Sequence, residues 1–170
     1  MRHFLICSAL LAGLFGAAGG YAQESTPAPA TQQEQTMSPV AAAVSALSPV
    51  CGSFNKNAEY FIYLYSASWC GPCRMVMPDI AKVYKEDLSK KGKIEIILLS
   101  GDANPDAARR YISHYGVDML TVMGRGAQVD NLPGAYQVRG IPHAIVVDKN
   151  GNRIFNGHAR KMLEFLDTIR

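Results

Sequence analysis

The feature that most constrains this chain is a change of pattern between Tyr60 and Leu88. Tyr60-Phe61-Ile62-Tyr63-Leu64-Tyr65 is a continuous apolar and aromatic run. A strand with one wet face alternates, so an unbroken run predicts a central strand covered on both faces. Ser66-Ala67-Ser68-Trp69-Cys70-Gly71-Pro72-Cys73 follows at once, and beyond it Val76, Ile80, Val83, Tyr84 and Leu88 share one helical face. A buried strand turning directly into an amphipathic helix is a building unit of layered α/β folds. Pro78 lies inside the helical stretch and predicts a kink there.

The rest of the second half reads in the same style. Ile94 to Leu99 predicts a strand, and Asn104-Pro105 opens a helix, with Asn as cap and Pro at the first helical position. Gly116 closes that helix. Val117 to Leu132 reads as a short strand, a loop around Gly124-Arg125-Gly126 and a partial helix. Ala144 to Val147, the turn Asp148-Lys149-Asn150-Gly151 and Arg153 to Phe155 form a hairpin pattern. Arg160 to Ile169 is an amphipathic helix with Met162, Phe165, Leu166 and Ile169 inward. The sum is an α/β sandwich around a mixed sheet, with residues 51–170 long enough for one core.

The N-terminal part differs in composition. Met1-Arg2-His3 is a short basic start, Phe4 to Phe15 is an apolar run, and small residues lead to Gly20-Tyr21-Ala22. Residues 1–22 read as a secretory signal peptide, against an uncleaved membrane anchor, for which the apolar run is short of the roughly 20 residues that span a bilayer. Cys7 leaves with that peptide. Residues 23–50 are rich in Ala, Gln, Thr, Ser and Pro and carry only Glu24 and Glu34 as charges. They read as a low-complexity tether, with a short helix at 39–47 because Val40, Val44 and Leu47 fall on one face. Net charge is +3, and acids are interleaved with the bases. No continuous basic stripe exists for a phosphate backbone, so nucleic acid is not an expected partner.

The chemistry concentrates at Cys70-Gly71-Pro72-Cys73. At the start of a helix, unpaired backbone N–H groups and the positive end of the helix dipole stabilise a thiolate on the first Cys. The second Cys lies nearly one turn on, close enough to close a disulfide. Cys70 is the expected nucleophile and Cys73 the resolving thiol. Two other readings compete. Half of a zinc site needs further ligands, and Cys51, His114, His143 and His158 show no second pair with suitable spacing. A purely structural disulfide would close a very small loop and stabilise little. Neither a metal nor an organic cofactor is expected. Cys51 is a leftover thiol that reads as a buried apolar residue, against an intermolecular link or a third redox partner.

Trp69-Cys70-Gly71-Pro72-Cys73 resembles the thioredoxin active-site motif, Pro78 matches that family's helix-kinking proline, and Gly140-Ile141-Pro142 resembles its cis-proline segment. The resemblance covers about residues 56–170 and implies the thioredoxin fold and thiol–disulfide exchange. It also implies that Pro142 is cis, that Ile141 and its neighbours pair with a substrate's backbone, and that Trp69, Gly71 and Pro72 form the rest of the active-site motif and substrate groove. The spacing from Cys73 to Pro142 exceeds that of a minimal thioredoxin. The surplus falls around residues 100–132, an insertion between the Cys-x-x-Cys helix and the cis-Pro strand. That insertion, the signal peptide and Ser66-Ala67-Ser68 are similar to the TlpA-like secreted thioredoxins and to the tryparedoxin and nucleoredoxin branch. Leu64 stands where typical thioredoxins carry a buried proton-shuttling Asp. Asp102 at a strand end and His143 beside Pro142 are the candidates to replace it, each against a plainer role as a loop cap or a solvated strand residue.

With the signal peptide of residues 1–22, the expectation is a secreted, periplasmic oxidoreductase, and Gly71-Pro72, which resembles the dipeptide of reducing thioredoxins, favours a reductant of protein disulfides. An oxidising compartment then demands an upstream thiol electron donor, membrane-bound. An oxidase or isomerase using the same residues, and a binding module working without turnover, are the rival expectations. Oligomeric state is not legible from the sequence.

Overall fold

The computed structural model describes residues 37–169. The expected signal peptide and the first part of the tether lie outside the described residues. In chain order the elements are α1 (Pro39–Ser45), β1 (Tyr60–Ser66), α2 (Gly71–Val83), a π-helical turn (Tyr84–Leu88), α3 (Ser89–Lys91), β2 (Ile94–Ser100), α4 (Pro105–Tyr115), β3 (Leu120–Met123), α5 (Ala127–Asp130), β4 (His143–Asp148), β5 (Arg153–His158) and α6 (Ala159–Leu166). The five strands form one mixed sheet in the order β3-β2-β1-β4-β5. β1 runs parallel to β2 and antiparallel to β4, so it is bonded on both sides at the centre.

The unbroken apolar runs are explained by the two faces of this sheet. Successive strand residues point to opposite sides. Ile62 and Leu64 of β1, with Ile96 and Leu98 of β2, pack under α2, α4 and α6, where Val76, Ile80, Tyr111, Met162 and Leu166 meet them. Phe61, Tyr63 and Tyr65, with Ile97, Leu99 and Ile145, face the other way, onto Val40, Val44, Val129 and Leu132. The fold class read from the sequence is the one observed.

Two expectations need correction. The short helix read at 39–47 is present as α1, capped where the Ser38 hydroxyl accepts the Ala41 N–H, but it packs onto the sheet instead of standing in a tether that ends at residue 50. Val40 and Ala41 are completely buried, and the Val40 N–H bonds to the Lys149 carbonyl. This helix covers part of the second face of the sheet, beside Val129 and Leu132, and the 51–170 boundary would have left that part bare. Residues 50–53 then line the outer edge of β3, with the Val50 N–H on the Thr121 carbonyl and the Thr121 N–H on the Cys51 carbonyl. Gly52 is required there, since it has φ +79° and a Cβ would overlap the Met119 carbonyl. Cys51 is half-buried, carries no disulfide and packs against the core. α2 runs through Pro78 to Val83. The second correction is that its continuation is a π-turn rather than α-helix; both ends of it, Tyr84 and Leu88, stay buried. Gly92, at φ +65°, ends the helical stretch.

The residues expected to be an insertion form α4, the edge strand β3 and α5. Asn104 caps α4 through Ala107 N–H, and Gly116 closes it in the left-handed conformation. At the hairpin between β4 and β5, Asp148 accepts from the Asn150 and Asn152 N–H groups. Those bonds hold its carboxyl below the usual carboxylate range, with the Asn152 side chain contributing most.

Candidate active site

The two parallel strands β1 and β2 end side by side, Ser66 opposite Ser100 in register. Both runs stop being apolar here, and the chain turns over the sheet. Ala67 is buried, its carbonyl accepts the Cys70 N–H at 3.2 Å, and Cys70 becomes the N-cap of α2. Gly71 and Pro72 begin the helix, and no atom would obstruct a Cβ on Gly71, which opens to solvent. Cys70 and Cys73 are joined as a disulfide with a Cα separation of 5.2 Å.

The two sulfurs are not equivalent. Cys73 has no exposure while Cys70 keeps 5%, so Cys70 is the sulfur an incoming group can reach. The Cys73 N–H donates to Cys70 Sγ at 3.2 Å, which favours the anionic form of that sulfur once the disulfide opens. Ile141 packs against both cysteines and Ala67, and its carbonyl oxygen lies 3.8 Å from Cys70 Sγ. The Ile141–Pro142 peptide is cis. Pro142 is buried, and β4 starts at the next residue. The chain thus brings Cys70, Cys73 and the Ile141–Pro142 peptide together. Trp69 is 64% exposed, with its indole N–H on the Gly101 carbonyl at 3.2 Å. Directly before Cys70 in the chain, it leaves most of its ring open to solvent.

Asp102 and His143 are both near this end of the sheet, but neither is hydrogen-bonded to a cysteine. One Asp102 carboxylate oxygen accepts the Ser68 N–H at 3.0 Å and the Ser68 hydroxyl at 2.6 Å, and the other accepts the Ser100 hydroxyl at 2.8 Å. The carboxylate therefore ties the loop that carries Trp69 and Cys70 to the end of β2. A second tie runs between the Ser66 and Tyr111 hydroxyls at 2.9 Å, with burial pushing Tyr111 up to about 12. Tyr111 is thus a neutral hydrogen-bonding group at physiological pH. His143 Nε2 is 2.7 Å from Asn156 Oδ1, which also accepts the Tyr136 hydroxyl at 2.6 Å. Leu64 is fully buried among apolar side chains beneath α2, with no carboxylate in its place.

Sequence reasoning missed Ser68, Ser100, Tyr136 and Asn156. A polar residue ending an apolar strand run was the available signal for Ser100; Tyr136 and Asn156 meet only through the fold. Tyr136, Gln137, Arg139, Gly140, Ile141 and Pro142 line one side of a groove of about 700 Å³, and His143 and His158 complete it. Tyr65, beneath, donates to the Tyr136 carbonyl at 3.1 Å and is pushed up to about 12 by burial.

This arrangement can exchange disulfides: an accessible sulfur at a helix N-terminus, a buried partner one turn on, and a backbone edge beside them. The chain is similar to a probable nucleoredoxin 1 of Arabidopsis thaliana, at 35% identity over 91 residues, covering 53% of this chain and 15% of that protein. It is also similar to the thiol-disulfide oxidoreductase ResA of Bacillus anthracis, at 28% over 100 residues, covering 57% of this chain and 55% of that one. Among solved structures, tryparedoxin II from C. fasciculata superposes with a TM-score of 0.54 at 25% identity, covering 67% of this chain and 74% of that one. The chain spans between 15% and 61% of the length of the first curated relatives it matches. A family model described as thioredoxin-like matches residues 57–153, more than half of the chain, from just before β1 to the start of β5. On that match, and on the five-stranded fold it spans, the chain belongs to the thioredoxin-like family.

Proposed function

We propose that this chain is a secreted thiol–disulfide oxidoreductase that reduces protein disulfides in a periplasmic compartment. The observation that carries the reading is the asymmetric pair at the head of α2, reachable Cys70 and buried Cys73, set against the cis Ile141–Pro142 peptide. In the reduced protein the Cys70 thiolate attacks one sulfur of a substrate disulfide, forming a mixed disulfide and releasing the other substrate sulfur as thiolate. Cys73 then loses its proton and attacks Cys70. The second substrate thiolate leaves, and two electrons have passed from the dithiol to the substrate.

The Ile141 side supplies a backbone edge for the substrate chain, and Trp69 supplies an apolar contact. Asp102 is already an acceptor for three donors, so it positions the loop, and water carries the Cys73 proton. Secretion rests on the basic start, apolar run and small residues of 1–22. A reductant in an oxidising compartment needs an upstream thiol donor, here a membrane-bound one.

The reduction potential of the Cys70–Cys73 pair, equilibrated against thiol buffers, tests the direction. A value near the roughly −270 mV of thioredoxin supports the reductant, and one near the roughly −120 mV of DsbA makes it an oxidase or isomerase. Cys70→Ser abolishes insulin reduction, and Cys73→Ser accumulates the mixed disulfide. A native chain that does not reduce insulin but binds polypeptide equally well with and without Cys70→Ser is a binding module instead.

A further inference from the structure

The dithiol end of the molecule carries a charge pattern that the exchange chemistry does not use. Three hollows adjoin the residues of the motif, each lined by different elements. Arg139 stands in the groove of Ile141 and Pro142 with His143 and His158; Arg125 stands with Trp69 and Asp102; Arg74 and Arg110 stand with Ser68 and Tyr111. All four arginines are exposed. Among the described residues none of the four forms an ion pair, whereas Arg109 and Arg160 are neutralised by Asp106 and Asp79.

Carboxylates at this end are few or occupied. Asp102 is buried under three donors, and Asp130, exposed, shares one hollow with Arg125. Glu59, Glu95, Asp118 and Asp148 sit at the opposite ends of the strands. Charges of one sign around a cleft attract complementary partners and repel others, and a guanidinium matches a carboxylate in a two-point geometry.

We propose that the dithiol face selects protein disulfides flanked by acidic residues, with Arg74, Arg125 and Arg139 as the residues that read the flanks. This rests on the oxidoreductase reading above. The occupant is a polypeptide rather than a small anionic disulfide because the cations are divided among separate hollows. A small molecule fills one; a chain lying across Trp69 and Ile141 reaches more than one.

The experiment follows oxidation of the reduced full chain through its single Trp, Trp69, by stopped flow. The oxidants are two matched disulfide peptides, flanked by Glu or by Lys, together with oxidised glutathione and neutral hydroxyethyl disulfide. The expected result is a second-order rate about tenfold higher for the Glu peptide than for the Lys peptide at low salt, an advantage that fades in 0.5 M NaCl. Arg125→Gln and Arg139→Gln reduce the ratio several-fold each, while Lys90→Gln, at the far end of α2's continuation, leaves it in place. Equal rates for the two peptides, or a preference indifferent to salt, overturn the proposal while leaving the oxidoreductase reading intact. Oxidised glutathione reacting as fast as the Glu peptide reassigns the cations to a small anionic disulfide and overturns it too. Inertness toward all four oxidants overturns the oxidoreductase reading, and this selectivity with it.

Discussion

Asp102 shows how one side chain can serve a redox site without touching a sulfur. Its two oxygens accept one backbone and two hydroxyl donors in a nearly closed environment, 5% exposed. Removing it strands those donors, which costs about 2–3 kcal/mol for a charged acceptor in a buried network. Asp102→Ala therefore lowers the unfolding free energy by that amount and slows insulin reduction, while Asp102→Asn, which keeps one acceptor, loses less of both. Denaturant titration and the reductase assay check the pair of variants; a stable Asp102→Ala protein removes the loop tie from the account. At this scale the sequence was most informative where chemistry is local. Cys70 and Cys73 were legible because a motif fixes their spacing, and Pro142 because Gly140-Ile141-Pro142 directly precedes an apolar strand run. Ser68, Tyr136 and Asn156 were not, since their partners lie 34 residues away for Ser68 and 20 for Tyr136, and only the sheet brings them together.

Among the elements, α1 and the start of β2 carry the clearest consequences. Val40 and Val44 are at most 1% exposed and fill the second face of the sheet. Replacing both by Ala costs about 2–4 kcal/mol in lost burial and cavity formation. The Cys70–Cys73 reduction potential should not move, because α1 meets the sheet away from the cysteines; a shifted potential refutes that separation. At the start of β2, burial pushes the Glu95 carboxyl upward, against the Asn55 and Ile96 N–H bonds and the Tyr84 hydroxyl, with Asp118 adding to the rise. Folding thus takes up a proton at Glu95. Its contribution is fully present below the ordinary carboxylate pKa and is lost as pH rises through the raised value. The stability of the native chain relative to Glu95→Gln consequently falls as pH rises beyond the ordinary carboxylate range. A difference that is flat with pH contradicts the assignment. The helices and the hairpin were legible from periodicity and caps, whereas α1 was half legible: its face was visible at Val40, Val44 and Leu47, but the low-complexity composition around it pointed to a tether. The π-turn at Tyr84–Leu88 had no signal, because the helical face reads the same through either geometry.

On the scale of the whole molecule, the sheet places β1 between two partners with both faces covered. The nucleophile hangs from the end of that strand, four residues beyond Ser66. Amide hydrogens of a fully enclosed central strand exchange with solvent only when the entire domain opens, whereas those of an edge strand or terminus exchange through smaller fluctuations. Hydrogen exchange should accordingly find the Phe61–Tyr65 amides the slowest in the protein and unaffected by reduction of the cysteines. When β1 opens, the support of the nucleophile goes with it, so heat that unfolds the sheet ends reductase capacity in the same step. The order of the strands hangs the active site from the part of this protein that opens last.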